Sequence, residues 1–234
     1  MKNLFLSVVF VLASAAVFSQ SVGEIKYSIQ ISGSKEIEES KAFFPSHYRM
    51  LFKGKESKFV QEGGMMGNML GDVVTKGDGK TYFVNHSTKT INAYTPKESS
   101  DKSDAGEKPT VTKENETAKI LGYTCQKFKV LTEKDKQGEQ STIYVWATKD
   151  LKVDAKGNKK WGAGQYQYDG VEGFPLKMMI VSKAQGSSMT MTMTAVNLET
   201  KIPDDKEFEL PASYKREEGL PAMLKMAEMM GGSN

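Results

Sequence analysis

The stretch that decides the fold is EIKYSIQIS, residues 24–32. Its apolar side chains stand at every second position, and polar side chains fill the positions between them. Successive side chains of a β-strand point to opposite faces. The stretch therefore predicts a strand with one dry face and one wet face, the dry face carrying Ile25, Tyr27, Ile29 and Ile31.

Similar alternating segments recur along the chain, and short turn signals separate them. One such signal is Asp78-Gly79, which suits a tight hairpin turn. The patterns predict further strands at 48–53, 58–61, 73–74, 81–84, 90–94, 119–131, 142–148, 174–181 and 188–198. A short helix is expected within 34–44, ended by Pro45. Nine or ten strands joined by hairpins form a large antiparallel sheet, and such a sheet tends to curl. The predicted fold class is mainly β (α+β), a single curled antiparallel half-barrel with a few short helices.

The first 19 residues have the pattern of a secretory signal peptide. Lys2 precedes a largely apolar run of 15 residues from Leu4 to Phe18, shorter than the roughly 20 residues that span a bilayer. Small residues favour cleavage between Ser19 and Gln20. We therefore expect an exported protein, periplasmic or extracellular, that is not an integral membrane protein.

The remaining chain is predicted to form one β domain, residues 20–216, followed by a Met-rich C-terminal helix and tail at 217–234. Within the domain, 10 of the 21 residues at 96–116 are charged. A segment this polar buries too little apolar surface to offset its ordering entropy, which predicts a disordered insertion.

The composition disfavours several classes of function. The chain holds 32 basic and 29 acidic residues, a formal charge of +3, without a basic cluster that would indicate a nucleic-acid partner. Two histidines and one cysteine leave little material for a metal site or an acid–base relay. We therefore expect no enzymatic activity, no catalytic residue, no metal site and no cofactor. The lone Cys125 is expected to be a buried apolar residue.

Methionine is the unusual component, with 14 residues. They group as Met65, Met66 and Met69 in a glycine-rich turn, Met189, Met191 and Met193 on one strand face, and Met223, Met226, Met229 and Met230 on the terminal helix. Three interpretations stay open: filling of the core, an adaptable apolar surface for a ligand, and Cu(I) capture by thioethers. Because threonines alternate with the strand methionines and can face water, these methionines are expected to point inward.

Several segments resemble the LolA/LppX-like superfamily of bacterial envelope carriers, and most closely an uncharacterised secreted domain-of-unknown-function family within or near it. The segments are GKTYFVN (79–85), Lys89-Thr90, YVW (144–146), GFPLK (173–177), IPDD (202–205), FELP (208–211) and Tyr214. The resemblance implies a half-barrel closed by helices that holds acyl chains in an apolar cavity. The chain departs from this pattern in its few helical segments, its charged insertion and the absence of a lipid-attachment cysteine.

These observations lead to the hypothesis of a non-enzymatic binding protein that carries a lipid or other hydrophobic small molecule on the concave face of its sheet. Strand phase selects as candidate lining residues Tyr27, Ile29, Met50, Phe52, Tyr144, Trp146, Met178, Met189, Met191 and Met193. The opposite phase is open at each strand, since a slip of one residue inverts both faces. The alternatives are a solid-cored envelope protein that binds a protein partner through its terminal helix, and Met-based Cu(I) binding.

Overall fold

The computed structural model describes residues 20–95, 109–134, 140–153, 168–184, 187–222 and 224–225. Strands dominate this part of the chain. They are β1 (Gln20–Ser21), β2 (Glu24–Gly33), β3 (His47–Lys53), β4 (Glu56–Glu62), β5 (Asp72–Thr75), β6 (Thr81–Asn85), β7 (Thr90–Tyr94), β8 (Thr110–Ile120), β9 (Tyr123–Lys134), β10 (Gln140–Thr148), β11 (Leu151–Lys152), β12 (Phe174–Ala184), β13 (Ser187–Glu199) and β14 (Lys215–Glu218). The helices are α1 (Lys35–Glu39) and α2 (Gly64–Leu70), with 3₁₀ turns at Lys41–Phe43 and Asp205–Phe208.

Twelve of these strands form one sheet, in the order β14-β7-β6-β5-β4-β3-β2-β13-β12-β10-β9-β8. Neighbouring strands are antiparallel except for β14, which runs parallel to β7. The short strands β1 and β11 form a separate parallel pair. The predicted fold class, a large curled antiparallel sheet with few helices, is confirmed.

The curl of the sheet is visible in contacts between strands that are not neighbours. Three strand spacings separate β3 from β12, about 14 Å in a flat sheet. The rings of Phe52 on β3 and Phe174 on β12 nevertheless pack edge to face, with centroids 6.2 Å apart. Between them, the hydroxyl of Tyr27 donates to the main-chain oxygen of Pro175 at 2.6 Å. The two halves of the sheet therefore turn their shared face toward each other.

We call this shared face the inner face. Direct cross-strand pairs place on it residues from β2 to β13, among them Tyr48, Met50, Phe59, Val73, Phe83, Val145, Met178, Ile180, Met191 and Met193. Most of the main core cluster belongs to this face. The core therefore lies inside the curl.

The opposite side is the outer face, and over β5–β7 it is covered by the chain that follows β13. Val74, Val84 and Ile91 form a second buried cluster against which Leu210 and Tyr214 pack. The hydroxyl of Tyr214 lies 3.1 Å from Nδ1 of His86, whose Nε2 lies 3.2 Å from an Asp72 carboxylate oxygen. These contacts hold the segment before β14 against the sheet.

Two predicted boundaries were wrong. The segment 96–116 was expected to be disordered, but residues 110–116 belong to strand β8, which pairs with β9. The predicted strand 119–131 is likewise divided into β8 and β9 by a turn at Leu121 and Gly122, both with positive φ (49° and 86°). Gly122 is a turn signal, but a single glycine also occurs within strands, and leucine seldom adopts a positive φ, so one continuous strand was predicted. Residues 96–108 lie outside the described part of the chain.

The structure describes only part of the two ends of the chain. Residues 1–19, the expected signal peptide, lie outside the described residues. At the other end, residues 217 and 218 belong to strand β14, so the terminal helix begins later than expected. Its described residues Ala222, Leu224 and Lys225 are helical, and Met223, Met226, Met229 and Met230 lie outside the described part. Within the described chain, no helix has the length and apolar character needed to cross a bilayer.

Candidate ligand-binding cavity

A cavity of about 380 Å³ lies against the inner face of the sheet. Strands from both halves of the curl contribute to its wall, together with α2, the chain before β12 and the C-terminal segment. Its lining residues are Tyr48, Phe59, Gln61, Met66, Leu70, Val73, Phe83, Tyr168, Ile180, Met191 and Leu224. This size and this mostly apolar lining are typical of small-molecule sites.

Helix α2 lies over the cavity because its glycines allow a close approach to the sheet and to the chain before β3. A β-carbon on Gly64 would stand 2.1 Å from the main-chain oxygen of Phe44, and one on Gly71 would stand 2.2 Å from that of Val84. Both glycines also have positive φ, 67° and 70°, which side-chain-bearing residues rarely adopt. The glycine-rich sequence at 63–71 therefore fixes where the helix begins, where it ends and how closely it packs.

The methionines of this segment lie on helix α2. They were predicted to lie in a turn because glycines are typical turn residues. Met66 and Leu70 are four residues apart, share one side of α2 and line the cavity. Met65 and Met69 face solvent, with exposed fractions of 60% and 45%. The helix therefore presents one apolar side to the cavity and another to the surroundings.

The C-terminal segment also contributes to the wall. Leu220 and Leu224 are buried in the main core cluster, and Leu224 lines the cavity. The segment is tied to the sheet where the main-chain N–H of Gly219 donates to the oxygen of Ala93 at 2.7 Å. The spacing of these leucines agrees with the predicted terminal helix, in which Lys225 N–H donates to the Pro221 oxygen at 3.0 Å.

Three polar side chains interrupt the apolar lining. Tyr48 and Gln61 lie directly opposite each other on β3 and β4, and Tyr168 comes from the chain before β12. Burial raises the pKa of Tyr168 above its ordinary value, since the surroundings disfavour the phenolate. The cavity thus offers hydroxyl and amide groups in a setting that disfavours charge.

Of the ten predicted lining residues, eight share the inner face: Tyr27, Ile29, Met50, Phe52, Met178, Met189, Met191 and Met193. Met191 alone among the ten lines the cavity. Tyr27, Met50, Phe52, Met178 and Met193 are buried in the packed core beside it. Ile29 lines a separate recess of about 520 Å³ between β2 and residues 41–46. For Met193, opposite Met178 and Ile29, the core-filling interpretation therefore holds.

Tyr144 and Trp146 were assigned to the wrong face. They alternate with Val145, which pairs with Met178 on the inner face, so both lie on the outer face. There, the ammonium groups of Lys127 and Lys177 stand 5.2 and 4.7 Å from the centre of the Trp146 ring. The error has a clear cause: β10 is apolar at successive positions, so its sequence does not reveal which set faces inward.

The sequence reasoning missed most of the cavity wall. The inner-face position of Phe59, Val73 and Phe83 follows once the pairing of β3, β4, β5 and β6 is known. Phe59 pairs with Met50, Val73 with Phe59, and Phe83 with Val73. Tyr168 and Leu224 come from outside the sheet, and no local sequence pattern places them there. Among the described residues, no group of three or more His, Cys, Asp or Glu side chains is arranged to hold a metal ion.

Fold and cavity together define a class of mostly β proteins in which one open, curled sheet carries an apolar cavity on its inner face. Residues 32–214 match the family described as a domain of unknown function, DUF4412, and the chain belongs to this family. A search of curated proteins finds no match. Among solved structures, the chain is similar to one described as "Structure of PNGF-II in C2 space group", with a TM-score of 0.44 and 18% identity. That alignment covers 88% of this chain and 32% of the other, so the chain spans about a third of its length.

Proposed function

We propose that this protein is a non-enzymatic binding protein, exported to the periplasm or the cell exterior, that holds a hydrophobic small molecule or lipid in the inner-face cavity. The observation that carries the proposal is the cavity itself. A solid-cored protein would fill the space between α2 and the sheet, whereas in the part of the chain that the structure describes Met66, Phe59 and Met191 border an open volume of about 380 Å³.

The lining explains how such a ligand would be held. Transfer of apolar groups from water contributes about 0.8 kcal/mol for each buried methylene group. Phe59, Val73 and Phe83 form a rigid wall on three neighbouring strands, each less than 7% exposed. Met66 and Met191 complete the wall with flexible thioether chains, which adapt to ligands of different shape.

The expected location and the carrier role also draw support from the sequence. The apolar run at 4–18 has the length and flanks of a signal peptide. The segments quoted above resemble envelope carriers of the LolA/LppX-like superfamily, which shield acyl chains from water. The two considerations agree, because a carrier of the bacterial envelope works in an aqueous compartment outside the cytosol.

Native mass spectrometry of the exported protein, purified without detergent, tests the proposal. We expect a bound species that organic extraction releases and identifies as a hydrophobic molecule. A protein that is empty, and that also fails to take up added lipid or the neutral probe N-phenyl-1-naphthylamine, would contradict the proposal and favour a protein-contact role.

A further inference from the structure

The polar groups of the cavity indicate what kind of ligand it accepts. Every polar side chain that lines it within the described part of the chain is uncharged: two phenols, Tyr48 and Tyr168, and the amide of Gln61. Gln61 and Tyr48 face each other across β3 and β4, while Tyr168 reaches the cavity from a different segment. A ligand therefore meets hydrogen-bonding groups from two parts of the chain.

We infer that the cavity selects uncharged amphiphiles, molecules with an aliphatic chain that ends in a hydroxyl, ester or amide group, over fatty-acid anions. This inference rests on the proposed function. It goes further because it names the chemistry of the ligand's polar end, which the shape and apolar character of the cavity leave open.

The physical reason is the difference between burying a neutral dipole and burying a charge. A hydroxyl or ester group that enters the cavity can exchange hydrogen bonds with water for bonds to Gln61 and Tyr168. A carboxylate also accepts such bonds, but it loses its hydration without gaining a cation from the described lining residues, and burial of an unpaired charge costs far more than burial of a hydroxyl. The direction of the Tyr168 pKa shift agrees, since the same surroundings disfavour that residue's own anion.

A matched pair of ligands tests the inference: 1-decanol and decanoic acid, measured by displacement of N-phenyl-1-naphthylamine. Titrations at about pH 8 and about pH 3 lie on either side of the carboxyl pKa, which is about 4 to 5. We expect decanol to bind at least about tenfold more tightly than decanoate at the higher pH. The difference in affinity between decanol and decanoic acid should disappear at the lower pH, where the acid is neutral. Decanol binding measured at both pH values corrects for changes in the protein.

Two variants connect the selectivity to the named groups. Gln61→Met and Tyr168→Phe remove a polar group while preserving most of the side-chain volume, and each should weaken decanol binding about three- to tenfold. Gln30→Met, at an exposed outer-face position, and Tyr82→Phe, beside the second core cluster, are matched controls that should leave it unchanged. Far-ultraviolet circular dichroism confirms that each variant is folded.

The outcomes separate this inference from the proposed function. Decanoate that binds as tightly as decanol at about pH 8, or decanol binding that is unaffected in both Gln61→Met and Tyr168→Phe, would overturn the selectivity for uncharged ligands while leaving a hydrophobic site. Failure of the probe and of decanol to bind at either pH would instead overturn the proposed function.

Discussion

Gly67 and Gln61 lie so close together that a β-carbon on residue 67 would stand 2.7 Å from the main-chain oxygen of Gln61. Gly67 is the buried residue of helix α2, and Gln61 lies on β4 with its side chain lining the cavity. This contact fixes the distance between the helix and the sheet. It therefore also fixes the depth of the cavity between Met66 and the β-strands.

Replacement of Gly67 by alanine is expected to destabilise the protein despite the preference of helices for alanine. Overpacking costs about 1–3 kcal/mol, whereas alanine gains about 1 kcal/mol over glycine inside a helix. Because the clashing atom belongs to the main chain of β4, the helix must move away from the sheet. Urea unfolding should show a lower free energy of unfolding, and probe binding should weaken.

Gly77→Ala is the matched control. A β-carbon at this position would meet only the Cβ of Lys55, at 3.9 Å, and Gly77 does not have a positive φ. Alanine should therefore leave stability unchanged or raise it by up to about 1 kcal/mol. Equal stability of the two variants would show that the contact between Gly67 and Gln61 does not position α2.

Tyr27 links β2 to β12 through its buried hydroxyl, and Tyr27→Phe is expected to lower the free energy of unfolding. The substitution removes a buried hydrogen bond to the Pro175 oxygen, which costs about 1 kcal/mol. Chemical denaturation at neutral pH measures the change. A variant as stable as the wild type would contradict the importance of this bond for the curl of the sheet.

The same residue predicts how stability changes in alkaline solution. Burial raises the pKa of Tyr27 above its ordinary value of about 10. Above about pH 10 the unfolded chain loses this proton while the folded protein retains it, so stability that is complete below about pH 10 decreases as the pH rises. Unfolding measured across this range should show a shallower decrease in Tyr27→Phe than in Tyr82→Phe. Equal slopes of stability against pH in the two variants would contradict the raised pKa of Tyr27.

Cys125 is expected to be inert in the folded protein. It is fully buried, and burial followed by the charge of Asp150 raises the pKa of its thiol to about 11. The reactive thiolate is therefore scarce at about pH 8, and reagents cannot reach it. Mass spectrometry after iodoacetamide treatment should show labelling only in denaturant. Rapid labelling without denaturant would contradict the core position of this residue.

The strands were predictable where one face is wet and the other dry. In β2, Ile25 and Tyr27 alternate with polar residues, and the structure confirms both the strand and its inner face. In β10, both faces are covered, and Tyr144 and Trp146 were assigned to the wrong one. Periodicity identifies a strand. The side chains that face the core can be identified from a single strand only when the side chains on its other face are polar.

The cavity was less predictable than the sheet because it depends on elements that no alternation describes. The glycines at 63–71 suggested a turn, and only their packing against β4 and β6 shows that they allow a helix to approach. Tyr168 reaches the wall from outside the strands. By contrast, Met191 was predicted from strand phase, since the threonines on either side of it can face water, and it does line the cavity.

The central claim, that a hydrophobic ligand binds at the inner face, is tested most directly by uptake of N-phenyl-1-naphthylamine in Met191→Glu and Thr192→Glu. The two residues are neighbours on β13 and lie on opposite faces of the sheet. A glutamate at position 191 would place a charge in the cavity, whereas one at position 192 would lie on the outer face. We predict that a folded Met191→Glu variant loses probe uptake and that Thr192→Glu retains it. Full uptake by folded Met191→Glu would contradict the account.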